Sequence, residues 1–304
     1  MTDTNLINGK LVSNEIILQI RKDLDNFKSK DKPTLAIINV GDNIESQVYI
    51  NMKIKRCNEI GVQTIVKRYL NSVTDEMLIN SIHELNHNSA VNGILVQLPL
   101  PKHINTRKVL SNISLEKDVD GFHVKNMGKL VLNNDPLFIP CTAEAVMELF
   151  KYYKISLSGK LIVVVGTSSL VGLPLSLLCL HEKATIIMTN SKTKNLKILT
   201  KQADIIIACC GQMEMITEEY ISKDVIIIDI GINKKPNNTR RSGYELVGDV
   251  NFVSVQNKTK NVNKLTIGPI TIAILIRNTV KSFIKYQKTS LQFNNNPINY
   301  TQYM

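Results

Sequence analysis

The run Leu161-Ile162-Val163-Val164-Val165 passes directly into Gly166-Thr167-Ser168-Ser169-Leu170-Val171-Gly172 and then into a helical stretch. A short β-branched strand, a glycine-bounded turn and a helix, in that order, commit this part of the chain to a β-α unit of a parallel sheet. Such a turn sets backbone N–H groups and a helix N-terminus where they can hold a pyrophosphate. Gly166 permits the tight turn and Gly172 permits close helix–strand packing. Ser168 stands in place of the middle glycine and can offer a hydroxyl. An ordinary βα turn with no ligand has the same appearance, so the motif alone does not decide between the two readings.

The elements on either side extend the pattern. Before the turn, a helix over 9–27 is followed by a strand at 34–40, a helix over 44–60 that ends at Gly61, a strand at 63–69, a helix over 74–86 and a strand at 92–98 closed by Pro99-Leu100-Pro101. A polar stretch rich in turn residues follows, then a helix through Tyr153 with Thr142 as its N-cap. Further strands are predicted at 160–165, 184–188, 204–208 and 225–229, each with a neighbouring helix, and a last helix over 269–286. The fold class is therefore α/β, with two domains: an N-terminal α/β domain with a parallel sheet, and a Rossmann-like dinucleotide-binding domain. The last helix is expected to pack back on the first domain. This divides the chain into 1–140 plus 269–288, 141–268, and a polar, frayed tail over 289–304.

Composition narrows the partners. The 304 residues suffice for two cores, and 43% hydrophobic content is that of a globular chain. No apolar stretch is read as approaching the roughly 20 residues of a membrane span. The opening MTDTNLINGK carries an early acid and no apolar core, so the expected location is cytoplasmic, with no membrane partner. Five cysteines without zinc-like spacing predict no metal site and no disulfide framework. The net charge of +11 comes from lysines spread along the chain, not from a basic block, which argues against nucleic acid.

Three segments of the first domain carry candidate chemistry. Tyr49 and Lys53 are four apart on one helix face, an aromatic ring beside an ammonium. A cleft lysine of lowered pKa can both give and take a proton, although surface packing with a solvent-reaching ammonium is the commoner use of this spacing. Gln97 ends a buried strand, where open α/β sheets bind ligands. Lys117-Asp118-Val119-Asp120-Gly121 puts carboxylates before a glycine, suited to an amidine-like heterocycle edge or simply to a turn. In the second domain the strand after the glycine turn is followed by Asn190, Ser191, Lys192 and Lys194 with no carboxylate. That composition favours a 2′-phosphate, hence NADP over NAD.

Together these segments resemble the bifunctional methylenetetrahydrofolate dehydrogenase/methenyltetrahydrofolate cyclohydrolase family. The matching stretches are SQVYINMKIKRCNEIG, NGILVQLPLP, KDVDGFH, PCT, VVVGTSSLVGLPLS, NSKT, IIDIGIN and VGDV, in family order over nearly the whole chain. The resemblance implies a reduced folate substrate, NADP as cofactor, a cleft between the domains, and a homodimer. It makes Lys53 the proton-transferring group, Gln97 its orienting partner, Tyr49 a ring stacked on the substrate and Asp120 the pterin anchor. It also places Gly166, Thr167 and Ser168 on the cofactor phosphates with Gly172 closing the cofactor-binding turn, Ser191 near the 2′-phosphate, Ile232 on the cofactor, and Gly268 and Pro269 beside the substrate.

The chain departs from the pattern before its last helix. Asn261-Val262-Asn263-Lys264-Leu265-Thr266-Ile267 stands where the family has prolines and paired glycines, while Gly268, Pro269 and Thr271 remain. Added Cβ atoms restrict backbone approach, which motivates a second reading: a ligand-binding member with one or both activities lost.

Overall fold

The computed structural model describes residues 7–240, 243–259, 262 and 267–295, with the side chains of 44, 45 and 290–295 excepted. The chain opens with α1 (Gly9–Phe27), β1 (Thr34–Val40), α2 (Ile44–Glu59), β2 (Gln63–Tyr69), α3 (Asp75–His87) and β3 (Gly93–Val96). Three helices follow: α4 (Thr106–Leu110), α5 (Val124–Val131) and α6 (Cys141–Tyr152). Then come β4 (Leu161–Val165), α7 (Gly172–His181), β5 (Thr185–Thr189), α8 (Leu196–Lys201), β6 (Ile205–Ala208) and β7 (Ile226–Asp229). The chain continues through β8 (Asn233–Pro236), β9 (Tyr244–Val247), α9 (Phe252–Val255) and α10 (Ile267–Asn295).

Two compact units result, one of residues 17–124 with 275–304 and the other of residues 1–16 with 125–274. In the first, β2-β1-β3 form a parallel sheet with β1 in the middle. Every residue of β1 and β3 is buried, as a strand covered on both faces requires; β3 is an unbroken apolar run, and β1 is apolar apart from Thr34 and Asn39. Ala36, Ile38, Ile94 and Val96 pack there with Leu78, Ile82 and Leu85 of α3. The C-terminal part of α10 belongs to this unit, with Phe283 edge-on to Phe27 of α1 at 5.8 Å between ring centres.

The second unit holds the parallel sheet β5-β4-β6-β7. In both sheets the chain leaves the central strand to one side and returns on the other. The topology therefore reverses beside β1 in one sheet and beside β4 in the other, and the crevice outside the strands' carboxyl ends at such a point is where α/β sheets take ligands.

The structure alters several expected boundaries. Pro140, not Thr142, occupies the N-cap position of α6, and Thr142 lies inside the helix. Proline is favoured at helix starts because its φ is already helical and the missing N–H costs nothing there. Between β6 and β7 there is only a 3-10 turn, Glu218–Tyr220, and after β7 comes the antiparallel hairpin β8–β9 instead of a helix. The last helix runs past Tyr286 to Asn295, and residues 296–304 lie outside the described residues. Its stretch 267–289 is also long and apolar enough to cross a membrane, contrary to the reading of the sequence, and 61% of the apolar window is buried within the protein.

Two buried carboxylates tie the loops at the end of the second sheet. Asp229 accepts from the N–H groups of Gly231, Asp249 and Val250, all at 3.0 Å. Asp249 accepts from the N–H groups of Cys210 and Gly211 and from the Asn233 amide, at 2.7–2.9 Å. A Cβ at Gly248 would stand 1.7 Å from Asp229 Oδ2, so the close approach demands glycine. Burial pushes the Asp229 carboxyl up to about 7, helped by the Asp249 charge and opposed by the three N–H donors. The folded protein thus holds that proton more tightly than the unfolded chain. Its contribution to stability is full below about pH 4 and is lost as the pH rises through 7, up to about 4 kcal/mol for this one group. Thermal melts across pH 4–8 should therefore show a decline in the wild type that is absent in Asp229→Asn; identical profiles would contradict it.

Candidate active site

Lys53 sits on the third turn of α2, the helix entered from β1 through Gly41 at φ +73° and capped by Asn43, whose Oδ1 accepts from Ser46 N at 3.2 Å. The lysine side chain turns inward and only 9% of the residue is exposed. Its Nζ donates to Gln97 Oε1 at 2.8 Å. Gln97 follows β3, and its N–H donates to Ile38 O of β1, so its position is an extension of the sheet. The amide's other end is used as well, with Nε2 donating to Leu98 O at 2.7 Å. With both ends engaged, the amide presents its carbonyl oxygen to the ammonium and cannot turn over without losing both bonds. Tyr49 lies one helical turn before Lys53 and is half-buried. Two of the segments singled out from the sequence, residues 49–53 and Gln97, thus meet at the carboxyl end of one sheet, at its point of reversal.

The 117–121 loop divides its two carboxylates between different tasks. Asp118 is 1% exposed and its Oδ2 accepts from His123 N at 2.7 Å. Gly121 N donates to Asp118 O at 3.0 Å, with Gly121 at φ +82°, so a turn is indeed formed. Asp118 and Gly121 account for that turn, and Asp120 is half-buried between them.

In the other unit the glycine turn has the required form. A Cβ at Gly166 would lie 2.4 Å from Cys209 O, and one at Gly172 would lie 2.1 Å from Gly166 O. Neither position can carry a side chain. Ser168 faces the helix start: its Oγ accepts from Val171 N at 3.2 Å and from Gly172 N at 3.5 Å. The hydroxyl therefore organises the first turn of α7 as an acceptor and keeps its own proton to donate. Among the described residues the N–H groups of Thr167, Ser168, Ser169 and Leu170 have no protein partner, and residues 167–169 are exposed. A ten-residue helix begins immediately behind them. Partnerless donors, a helix N-terminus and a backbone that admits close approach fit the diphosphate of a dinucleotide.

Gly166 N donates to Thr189 O at 2.9 Å, which sets the end of β5 beside the turn. There Asn190 and Thr193 close a small loop, with Asn190 N donating to Thr193 Oγ1 and Thr193 N to Asn190 O, both at 2.9 Å. Ser191, Lys192 and Lys194 are exposed on it, and neither lysine forms an ion pair among the described residues. Ile232, after β7, is 40% exposed. Gly268 and Pro269 fall in the first turn of α10, where Pro269 O accepts from Ser13 Oγ at 2.9 Å. Of the substituted segment, Asn261 and Asn263–Thr266 lie outside the described residues, while Val262 pairs with Ile227 as a parallel bridge. A cavity of about 700 Å³ beside Asp229 and β9 is lined by none of the predicted site residues.

Family models agree with this division of labour. Residues 7–120 match the tetrahydrofolate dehydrogenase/cyclohydrolase catalytic domain, and residues 140–287 match the NAD(P)-binding domain of the same family. The chain belongs to the tetrahydrofolate dehydrogenase/cyclohydrolase family. Among its relatives, the bifunctional protein FolD of Rickettsia bellii (strain RML369-C) is 43% identical over 286 residues, which span 93% of this chain and 99% of that one. The crystal structure of the bifunctional FolD methylenetetrahydrofolate dehydrogenase/cyclohydrolase from Campylobacter jejuni is 40% identical, with a TM-score of 0.86 over 93% of this chain and 99% of that one. The Trypanosoma brucei FolD methylenetetrahydrofolate dehydrogenase-cyclohydrolase, complexed with NADP cofactor and inhibitor, is 30% identical with a TM-score of 0.88, covering 94% and 98% of the two chains.

The glycine turn yields a direct test. Gly172→Ala forces the 2.1 Å contact apart, which should destabilise the protein by about 1–3 kcal/mol. It should also weaken NADPH binding by about tenfold or more, read by calorimetry on folded protein. Unchanged affinity would remove the turn from the cofactor site.

Proposed function

We propose that this protein oxidises 5,10-methylenetetrahydrofolate to 5,10-methenyltetrahydrofolate with NADP⁺ and hydrolyses the product to 10-formyltetrahydrofolate, as a step of one-carbon metabolism. The observation that carries the reading is the buried Lys53 held at 2.8 Å by Gln97 in a family whose catalytic domain the chain matches over residues 7–120. The functional division follows: residues 1–140 with 269–288 take the folate, and residues 141–268 take the dinucleotide.

The chemistry supplied by bound NADP⁺ is acceptance of a hydride from the carbon bridging two folate nitrogens, which leaves that carbon as a methenyl cation. Thr167, Ser168 and the N–H groups at the start of α7 hold the phosphates between Gly166 and Gly172, and Ile232 lies against the cofactor. Ser191, with Lys192 and Lys194, meets the 2′-phosphate. Asp120 anchors the pterin through paired hydrogen bonds, Tyr49 stacks on the aromatic portion, and Gly268 and Pro269 lie beside the substrate.

For the hydrolytic step, water adds to the methenyl carbon and loses a proton to Lys53. One carbon–nitrogen bond of the resulting adduct then breaks, the departing nitrogen takes that proton back from Lys53, the adduct's hydroxyl releases its proton to solvent, and the carbon stays on the other nitrogen as a formyl group. Lys53 is suited to this because burial removes its competing water while Gln97 accepts from it without adding a second charge. A carboxylate in place of Gln97 would lock the ammonium in its charged form.

The choice of NADP over NAD rests on the end of β5, where two lysines and a hydroxyl stand and no carboxylate does. The same reading includes a homodimer in the cytoplasm, with neither nucleic acid nor membrane as a partner. The dispersed lysines speak against nucleic acid, and the mostly buried apolar window of α10 speaks against a membrane span.

Two assays test this. In Lys53→Ala, hydrolysis of methenyl folate should fall by about 100-fold or more while folate binding persists; hydrolysis near the wild-type rate would defeat the assignment. In Lys192→Ala/Lys194→Ala, the KM for NADP⁺ should rise about tenfold with that for NAD⁺ little changed. An equal rise for both would show that these lysines do not read the 2′-phosphate.

A further inference from the structure

The loop that carries Asp120 is gripped from two sides within its own unit. On one side Lys117 joins it to the sheet, with Lys117 O accepting from Ile94 N at 2.8 Å. The Lys117 ammonium closes the end of α3, donating to Leu85 O, Asn86 O and Asn88 O at 2.7–2.9 Å. That use suits a cation at a helix C-terminus. On the other side, two polar side chains of α10 reach the loop's carbonyls. Asn278 Nδ2 donates to Val119 O at 3.0 Å, and Ser282 Oγ donates to Glu116 O at 2.8 Å.

These donors are buried, Asn278 at 1% and Ser282 at 9% exposure, in a helix whose other buried residues include Ile272–Ile276, Val280 and Phe283, with Thr279 bonded back to Leu275 O of its own helix. They are four residues apart and so share one face. Burying an amide and a hydroxyl there is costly unless they are hydrogen-bonded, and each donates to a carbonyl of this loop. The fit is tight: a Cβ on Gly93 would stand 2.8 Å from Val119 Cγ2 and 3.0 Å from Thr279 Oγ1, so strand, loop and helix meet with no room for a methyl group. The carbonyl that Asn278 holds belongs to the same planar peptide unit as the N–H of Asp120, so gripping it fixes the plane from which the Asp120 side chain departs.

We propose that Asn278 and Ser282 are positioning residues of the folate site, clamping the 116–121 loop so that Asp120 presents its carboxylate to the pterin in one orientation. This rests on the reading of Asp120 as the pterin anchor. The clamp acts on substrate binding and leaves Lys53 and Gln97 in place.

The test is a double-mutant cycle on the full chain, reading KM and kcat for methenyl-folate hydrolysis together with KM for NADP⁺. Asn278→Ala should raise the folate KM about tenfold, the loss of one buried hydrogen bond, with kcat and the NADP⁺ KM within about twofold. Ser282→Ala should show the same pattern at about threefold. In the Asp120→Ala background neither change should add more than about twofold, because the group they orient is gone. An unchanged folate KM in folded Asn278→Ala and Ser282→Ala overturns the clamp, as does an equal effect with and without Asp120. If Asn278→Ala does not fold, Ser282→Ala in both backgrounds decides. Should Asp120→Ala alone leave the folate KM unchanged, the anchor reading fails, and the clamp falls with it.

Discussion

The hydrogen bond from Lys53 Nζ to Gln97 Oε1 depends on most of the first unit being built as it is. Lys53 reaches its place because α2 leaves the end of the central strand, and Gln97 because β3 pairs with that same strand in register, Leu35 with Gly93 through Ile38 with Val96. A one-residue slip of β3 would turn Gln97 to the opposite face of the sheet and leave a buried ammonium without this acceptor. The purely apolar sequence of β3 and the tight contact at Gly93 hold that register. Thus the packing of the sheet and the chemistry of the site constrain the same few residues.

The second unit solves a comparable problem by other means. Its dinucleotide turn is held by backbone contacts so close that Gly166 and Gly172 cannot be replaced, while Ser168 shapes the helix start from within the turn. Past the next strands, Asp229 and Asp249 collect loop N–H groups that have no ladder partner. Two carboxylates buried so close together are a costly way to close loops. The cost is offset by N–H donors arranged around both, which also explains the glycines at 231 and 248.

Much of this was legible in the sequence. The fold class and the seven parallel strands follow from local patterns, mainly short apolar or β-branched runs alternating with helices, and the place of Gln97 follows from the rule that α/β sheets bind ligands at strand ends; its partnership with Lys53 is what the family resemblance implies. What could not be read was of two kinds. The β8–β9 hairpin is made of Asn233-Lys234-Lys235-Pro236 and Tyr244-Glu245-Leu246-Val247, too polar and too short to show alternation. The other kind is long-range. Nothing local distinguishes Asp118, which is spent on holding His123 N, from Asp120, and nothing near Asn278 announces that it serves a carbonyl 159 residues away. Gly172 read correctly as a packing glycine, yet Ser168 proved to be an acceptor within its own turn.

The most direct test of the account lies in the acceptor rather than the lysine. Gln97→Met keeps the volume and removes the amide, leaving Lys53 in the same buried place. Hydrolysis of methenyl folate by the purified variant, measured beside its folate binding, should fall by about 100-fold with binding retained. Hydrolysis at the wild-type rate would contradict the claim that the Lys53–Gln97 pair is the reacting centre of this protein.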